Sequence, residues 1–189
     1  MNHTELLNHL VSKHNLSSYL EIGVQNPANN FNKIKCSYKI GVDPCLPINP
    51  NLIYSGTSDD YFLMKSDDKT FDLIFIDGLH HSDQVERDFN NSLRCLNDGG
   101  FIVLHDCLPN EEIESCVPRG NQKRWMGDVY KFIFKLNTYD GIDFITYSFD
   151  CGCCVVWKDA TKKGQPLTDV IDWQFYQRNK NMLRIEHNI

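Results

Sequence analysis

The apolar positions of this chain follow two patterns. Between residues 4 and 13, Leu6, Leu7, Leu10 and Val11 recur at the spacing of one helix face, which predicts a short amphipathic helix. Elsewhere the apolar residues form short, nearly unbroken runs bounded by turn formers, the pattern of strands buried on both faces. These runs are 18–24 (SYLEIGV), 38–42 (YKIGV), 71–76 (FDLIFI) and 101–104 (FIVL). Helical spacing returns at 83–96, where Val85, Phe89, Leu93 and Leu96 share a side and Asn97-Asp98-Gly99-Gly100 supplies the stop. Shorter helices are expected at 31–34, at 59–65 with Ser58 as N-cap, and at 125–136. Residues 144–147 and 153–157 read as two strands able to pair as a hairpin. Residues 25–30 and 46–50 read as loops, and 109–122 as a polar loop of a length that accompanies function or disorder. The tail, 158–189, is polar with scattered aromatics and reads as a partly ordered helix.

Strands alternating with helices predict an α/β domain with a doubly wound, mostly parallel sheet and helices on both faces. Open sheets of this kind bind ligands beyond the carboxyl ends of their strands. The polar residues of this chain collect there: Glu21 and Gly23, then Asp43, then Asp77 to His81, then His105 and Asp106. A buried sheet has no packing need for carboxylates at that edge, so four such ends point to a ligand site.

Composition narrows the partner. The 189 residues suit one domain, with a core at about 17–157 and the tail beyond it. A net charge of −6 disfavours a nucleic-acid backbone, since the basic residues cluster only at Arg119, Lys123 and Arg124. No run approaches a membrane span or a secretory leader, which predicts a cytoplasmic protein. Eight cysteines then read as reduced thiols. Cys151 and Cys154 stand at C-x-x-C spacing, but no second such unit accompanies them as in zinc sites, and Cys151, Cys153 and Cys154 are expected to be small buried strand residues.

The strand-end residues suggest specific chemistry. Gly23 allows close backbone approach. Asp43, about 20 residues on, is where such folds hold ribose hydroxyls, although an Asp before Pro44 is also a common turn. The two favour a nucleoside-containing cofactor, and the missing G-x-G-x-x-G disfavours a dinucleotide. Asp77 and Asp106 are hard oxygen donors suited to Mg²⁺ or Mn²⁺, with His105 as a supporting ligand. His80 or His81 could accept a proton near neutral pH. Trp125 and Asp128 offer an aromatic face and a carboxylate suited to a sugar, unless Trp125 is simply core at a helix start.

The runs YLEIGVQNPANNFNKI, KIGVDP, GTSDDYF, FDLIFIDGLHHSDQVERDFNNSLRCLNDGGFIVLHDC and WMGDVYK resemble the class I S-adenosylmethionine-dependent methyltransferases. Within these, the chain resembles the metal-dependent branch that methylates macrolide sugars and glycans. The resemblance spans about 18–157 and implies a Rossmann-like fold with an antiparallel edge. It implies that Glu21 and Gly23 lie by the methionine part of S-adenosylmethionine, Asp43 on its ribose and Thr57, Ser58 and Asp59 by its adenine, and Val24, Gln25, Phe31, Asp77 and Gly78 are expected as further contacts. It further implies that Asp77 and Asp106 hold a divalent metal, Mg²⁺ or Mn²⁺, with His105 expected beside them as the supporting ligand, and that His80 is the base. Asp77 and Asp128 are expected to assist it, with His81, Trp125 and Asp128 at the acceptor. Two departures stand out: Gln25 to Asn30 replaces the usual glycine-rich loop, and His105 stands where an acid often precedes the second metal-binding carboxylate. The expected activity is methyl transfer to a hydroxyl of a sugar or glycan. The alternatives are a non-sugar small-molecule hydroxyl and a cofactor-binding module without catalysis.

Overall fold

The computed structural model describes residues 1–47, 53–65 and 69–189. The loop expected at 46–50 lies outside the described residues from 48 onward. The chain opens with helix α1 (His3–His14), started by a reciprocal cap in which Asn2 accepts from the Glu5 amide and Glu5 from the Asn2 amide. Its buried residues are Leu6, Leu7, Leu10 and Val11, the four expected.

Strands β1 (Ser18–Ile22), β2 (Tyr38–Val42), β3 (Ile53–Tyr54), β4 (Phe71–Ile76) and β5 (Leu96–Leu104) are parallel, in the order β3-β2-β1-β4-β5. Then β7 (Cys153–Lys158) runs antiparallel beside β5 and pairs with β6 (Ile142–Tyr147) as the expected hairpin. The sheet closes with β8 (Ile185–Glu186), a short strand from the tail parallel to β6. The fold is therefore the α/β arrangement read from the sequence, with two short strands more among the described residues, β3 at one edge and β8 at the other.

Alternation along each strand explains the unbroken apolar runs. Leu20, Ile22, Ile74, Ile76, Ile102 and Leu104 point into the core shared with α3 (Ser82–Arg94) and α4 (Tyr130–Lys135). Tyr19, Leu73, Phe75 and Val103 point into the opposite core under α1. Both faces are dry, so both positions of the period-two pattern must be apolar. Asp72 is the exception inside FDLIFI. Its carboxylate takes the Ser17 and Ser18 amides and the Asn97 side chain, so it staples the amino ends of three strands. The tail is part of the same body, because Tyr176 of α5 (Trp173–Arg178) and Leu183 lie in the larger core.

Several boundaries differ from expectation. The first strand stops at Ile22, two residues early, because Gly23 turns at φ +90. Helix α2 (Ser58–Met64) is capped by Thr57, whose hydroxyl accepts from the Asp60 amide; Ser58 is its first helical residue. Helix α3 ends at Arg94, and Asn97 to Gly100 do not cap it; they belong to β5, entered through a register shift against β4. The helix expected at 125–136 is only Tyr130–Lys135 followed by a 3-10 turn, because Gly127 adopts φ +62.

Candidate active site

The order of the sheet reverses at β1, so β2 and β4 diverge from it and leave a crevice at their carboxyl ends. Backbone bonds stitch that edge: the Gly23 amide donates to Val42 and the Asp77 amide to Ile22, both at 2.9 Å. Gly23 has no alternative here. A Cβ would sit 2.1 Å from the Asp77 carbonyl oxygen, so only a glycine lets the two strand ends meet.

Three side chains converge at the ends of β4 and β5. Asp77 continues β4, His80 begins the turn into α3, and Asp106 follows β5 in a left-handed conformation (φ 58) that an Asp tolerates better than most residues. Imidazole Nδ1 of His80 is 3.0 Å from Asp106 Oδ2 and Nε2 is 3.5 Å from Asp77 Oδ1. The Nδ1 contact is close but not aligned as a hydrogen bond, which leaves this buried nitrogen without a partner. Burial opposes charge on His80, but the Asp77 hydrogen bond and the charges of Asp106 and Asp77 outweigh it and raise its pKa. Burial also pushes on Asp77, yet His105 and His80 outweigh it and hold that carboxyl well below the usual range. Asp106 goes the other way: burial raises its pKa more than the two histidines lower it.

His80 is clamped from behind. Trp125 lies flat against its ring, with centroids 5.1 Å apart and planes 12° apart, and His81 meets the same indole edge-on. The Asp128 amide donates to the His80 carbonyl at 3.1 Å. At Gly127 a Cβ would fall 1.8 Å from that carbonyl oxygen. The Asp128 carboxylate accepts from the Ser82 amide at 2.7 Å and pairs with Lys131 at 3.0 Å, so it caps α3, whose own N-cap His81 makes no side-chain cap bond.

These contacts revise several expectations. Trp125 is neither core nor a free sugar platform, since one face is used by His80 and the Arg119 guanidinium lies 5.6 Å from the ring. Asp128 is committed to a helix end. Donor atoms of Asp77, His80 and Asp106 lie within 4.8 Å of one another, a set in which His80 takes the place expected of His105. His105 instead holds Asp77 with Nδ1 at 3.1 Å and turns Nε2 away.

The residues expected around a nucleoside are partly gathered. Asp43 is buried at the end of β2 and braces the corner through both oxygens, accepting from the Gln25 amide at 2.7 Å and the Cys45 amide at 2.8 Å. Each oxygen keeps a lone pair for a ribose hydroxyl. Gly78 sits beside Ile22 and Gly23 at the same corner. Thr57 is occupied as a cap, and the Gln84 amide binds both Ser58 and Asp59 at 3.2 Å. Val24 and Phe31 are not open to a ligand: both are buried core against Gly41. Glu21 also faces inward. It accepts from the Tyr19 hydroxyl at 2.6 Å and from Asn30 at 2.9 Å, and Asn30 is in turn held by Thr4.

Other residues near the site gave no sequence signal. Asp150, in the tight turn between β6 and β7, pairs with His3 of α1. Beside it a cleft of about 400 Å³ is lined by Leu108, Asn110, Arg124, Cys151 and Tyr176. A larger cleft, about 740 Å³, runs along β6 and β8 at Asp143, which is already paired with Lys162 and Arg184. All eight cysteines are unpaired; Cys153 and Cys154 are buried in β7 as expected, Cys151 is instead half-buried in the turn before it, because the strand begins only at Cys153, and Cys36, Cys95 and Cys107 are buried as well.

Residues 42–107, running from the end of β2 through β5, match the family model described as a methyltransferase domain. No curated protein matches the chain in sequence. Solved structures match it in fold. A methyltransferase from Podospora anserina bound to S-adenosylhomocysteine has a TM-score of 0.62 at 14% identity, covering 82% of this chain and 77% of that one. An O-methyltransferase from Bacillus cereus, also in complex with S-adenosylhomocysteine, has a TM-score of 0.60 at 14% identity over 82% and 80%. The O-methyltransferase TomG from Streptomyces achromogenes, involved in tomaymycin synthesis and bound to S-adenosylmethionine, has a TM-score of 0.58 at 14% identity over 82% and 79%. The fold is the one these methyltransferases share, and the sequence resemblance to them is supported over residues 42–107. None of these matches singles out the sugar branch.

Proposed function

We propose that this chain transfers a methyl group from S-adenosylmethionine to a hydroxyl oxygen of a small acceptor. The observation that carries the reading is the convergence of Asp77, His80 and Asp106 at the strand ends beside the Gly23 corner. Asp43 receives the ribose hydroxyls, and Gly23 and Gly78 leave the crevice open to close approach. We read residues 1–189 as one domain of this kind. Among the described residues no helix is long and apolar enough to cross a membrane. We place the protein in the cytoplasm, where eight unpaired thiols persist.

His80 is the proton acceptor in this reading. With Nδ1 protonated toward Asp106, Nε2 takes the hydroxyl proton, and the two carboxylates stabilise the imidazolium that forms. The flat contact with Trp125 also favours a charged ring and fixes its plane. Where a divalent cation such as Mn²⁺ or Mg²⁺ occupies the set instead, Asp77 and Asp106 would offer two oxygens and the unpartnered Nδ1 of His80, then without its proton, one nitrogen, and His80 would serve as a ligand in place of a base. When bound, the donor supplies a methyl group activated on sulfonium and a cation supplies Lewis-acid polarisation. A sugar or glycan hydroxyl rests on the sequence resemblance alone, because the indole that would stack on a sugar is used by His80.

The test is methyl transfer from S-adenosylmethionine to a panel of monosaccharides, oligosaccharides and catechols, with and without EDTA. Turnover that survives EDTA but fails in His80→Gln assigns the proton transfer to His80. Loss in EDTA, restored by Mn²⁺, assigns the triad to the cation. Absence of both cofactor binding and turnover overturns the reading.

A further inference from the structure

A second cluster lies behind the first, on the far side of the His105 ring. His3 begins α1, Asp150 sits in the turn between β6 and β7, and His105 follows β5. The chain builds this junction at some cost. Asp150 and the next residue, Cys151, both take left-handed conformations (φ 50 and 66) that place the carboxylate against the start of α1. Oδ2 of Asp150 accepts from the His3 amide and lies 2.7 Å from His3 Nδ1. The His3 ring is further fixed by stacking on Phe75 and by an edge contact to His105, centroids 4.8 Å apart.

His105 supplies the independent pointer to a ligand. Its side chain is only 10% exposed, and Nε2 is buried with no hydrogen-bond partner. That nitrogen is aimed into the cluster, 3.8 Å from Asp150 Oδ2. Its other nitrogen is held by Asp77 at 3.1 Å. A carboxylate fixing one nitrogen while the other faces further donors is how proteins orient a metal-binding histidine.

We propose that His3, His105 and Asp150 form a binding site for a zinc-type divalent transition metal, separate from the Asp77/His80/Asp106 set. Two imidazoles and one carboxylate favour a borderline metal such as Zn²⁺ or Co²⁺ over Mg²⁺ or Ca²⁺. Donor atoms around a tetrahedral zinc stand about 3.3 Å apart when bonds are about 2.0–2.1 Å. The separations here, 2.7 and 3.8 Å, straddle that value, and all three donors lie within 4.8 Å of one another. The side chains of His3 and Asp150 remain 23% and 27% exposed, which leaves an outer position for water. Asp77 becomes the outer-sphere partner of His105, so this site would lock the orientation of a residue that touches the first. It would also tie α1 to the β6–β7 turn, two segments far apart in sequence.

The experiment is titration of the metal-free full chain with Co²⁺, followed by its visible absorption, and with Zn²⁺ by calorimetry and thermal melting. An equivalent bound with a raised Tm is expected that persists in His80→Ala and is weakened at least tenfold in His3→Gln and in Asp150→Asn. Binding that survives both of those variants, or that disappears in His80→Ala instead, overturns the proposal. So does no binding by the unaltered protein, which leaves His3 and Asp150 as an ion pair. NMR of the imidazole protons in the unaltered chain gives a readout independent of variant folding. Zn²⁺ must shift His3 and His105 together, and a shift confined to His80 refutes the site. None of these measurements requires methyl transfer, so they succeed or fail apart from the catalytic reading.

Discussion

Replacing Glu21 by glutamine removes an ionisable proton from a sealed network while keeping its shape. Glu21 is 2% exposed and receives hydrogen bonds from Tyr19 and Asn30. Burial outweighs those two bonds and pushes its pKa from 4.5 up to about 8. The sign follows from linkage. Below pH 4.5 the carboxyl is neutral folded and unfolded, and costs nothing. Between 4.5 and about 8 the unfolded chain releases the proton and the folded one keeps it, so stability falls as pH rises; above that the loss is constant. Each pH unit in the window costs up to about 1.4 kcal/mol, and the whole window at most about 5 kcal/mol. Glu21→Gln escapes this loss. Urea unfolding of both proteins at pH 5, 6, 7 and 8 should show the variant gaining on the parent at each step, while other titrating groups cancel in the difference. A stability difference flat across the window means that Glu21 ionises normally in the fold and refutes the reasoning. A steady gain shows that this carboxyl is neutral at pH 7, which would make it a poor partner for a cationic ligand group.

His80→Ala should lower methyl transfer by about 10²–10⁴-fold. In the parent, the rate should rise with pH through a midpoint above 6.5, because the neutral imidazole is the active form and its pKa is raised; a rate that falls over that range refutes the base role. Gly127→Ala forces a Cβ into the His80 carbonyl and holds an alanine at φ +62. We expect about 1–3 kcal/mol of lost stability and altered Trp125 fluorescence as the stack opens, with unchanged fluorescence counting against the clamp. Asp128→Ala leaves the first turn of α3 uncapped and should cost about 0.5–2 kcal/mol in thermal melting, with Asp128→Asn recovering most of it; equal losses in the two would assign the effect to Lys131 instead.

The elements legible in the sequence are those whose environment is uniform. Phe71 to Ile76 is buried on both faces, so its apolar run identifies it without tertiary knowledge, and the acids just past each strand end mark the crevice edge. What escaped depends on partners distant in the chain. Asp128 looks like a free carboxylate beside an aromatic until α3 presents the Ser82 amide to it. Thr57 and Ser58 are equally good N-caps on paper; in the fold Thr57 caps the helix and the Ser58 hydroxyl accepts from the distant Gln84 side chain.

Glu21 and Gly23 show how far the reading of a strand end can be pressed. Both belong to one motif, two residues apart, and the resemblance assigns both to the same cofactor. The end of the strand at Ile22 separates them. Glu21 shares the face of Tyr19, beneath α1, where Asn30 and Thr4 complete its network, whereas Gly23 lies past the strand, against Asp77 at the end of β4. The loop after β1 supplies Asn30 to that network, so the loop and the inward-facing Glu21 side chain are held together. The binding role then falls more heavily on Asp43, the acid whose two oxygens face backbone amides at the crevice itself. Asp43→Ala should therefore weaken S-adenosylhomocysteine binding by calorimetry more than Glu21→Gln does; the reverse order would return Glu21 to the cofactor and break the link between loop and network.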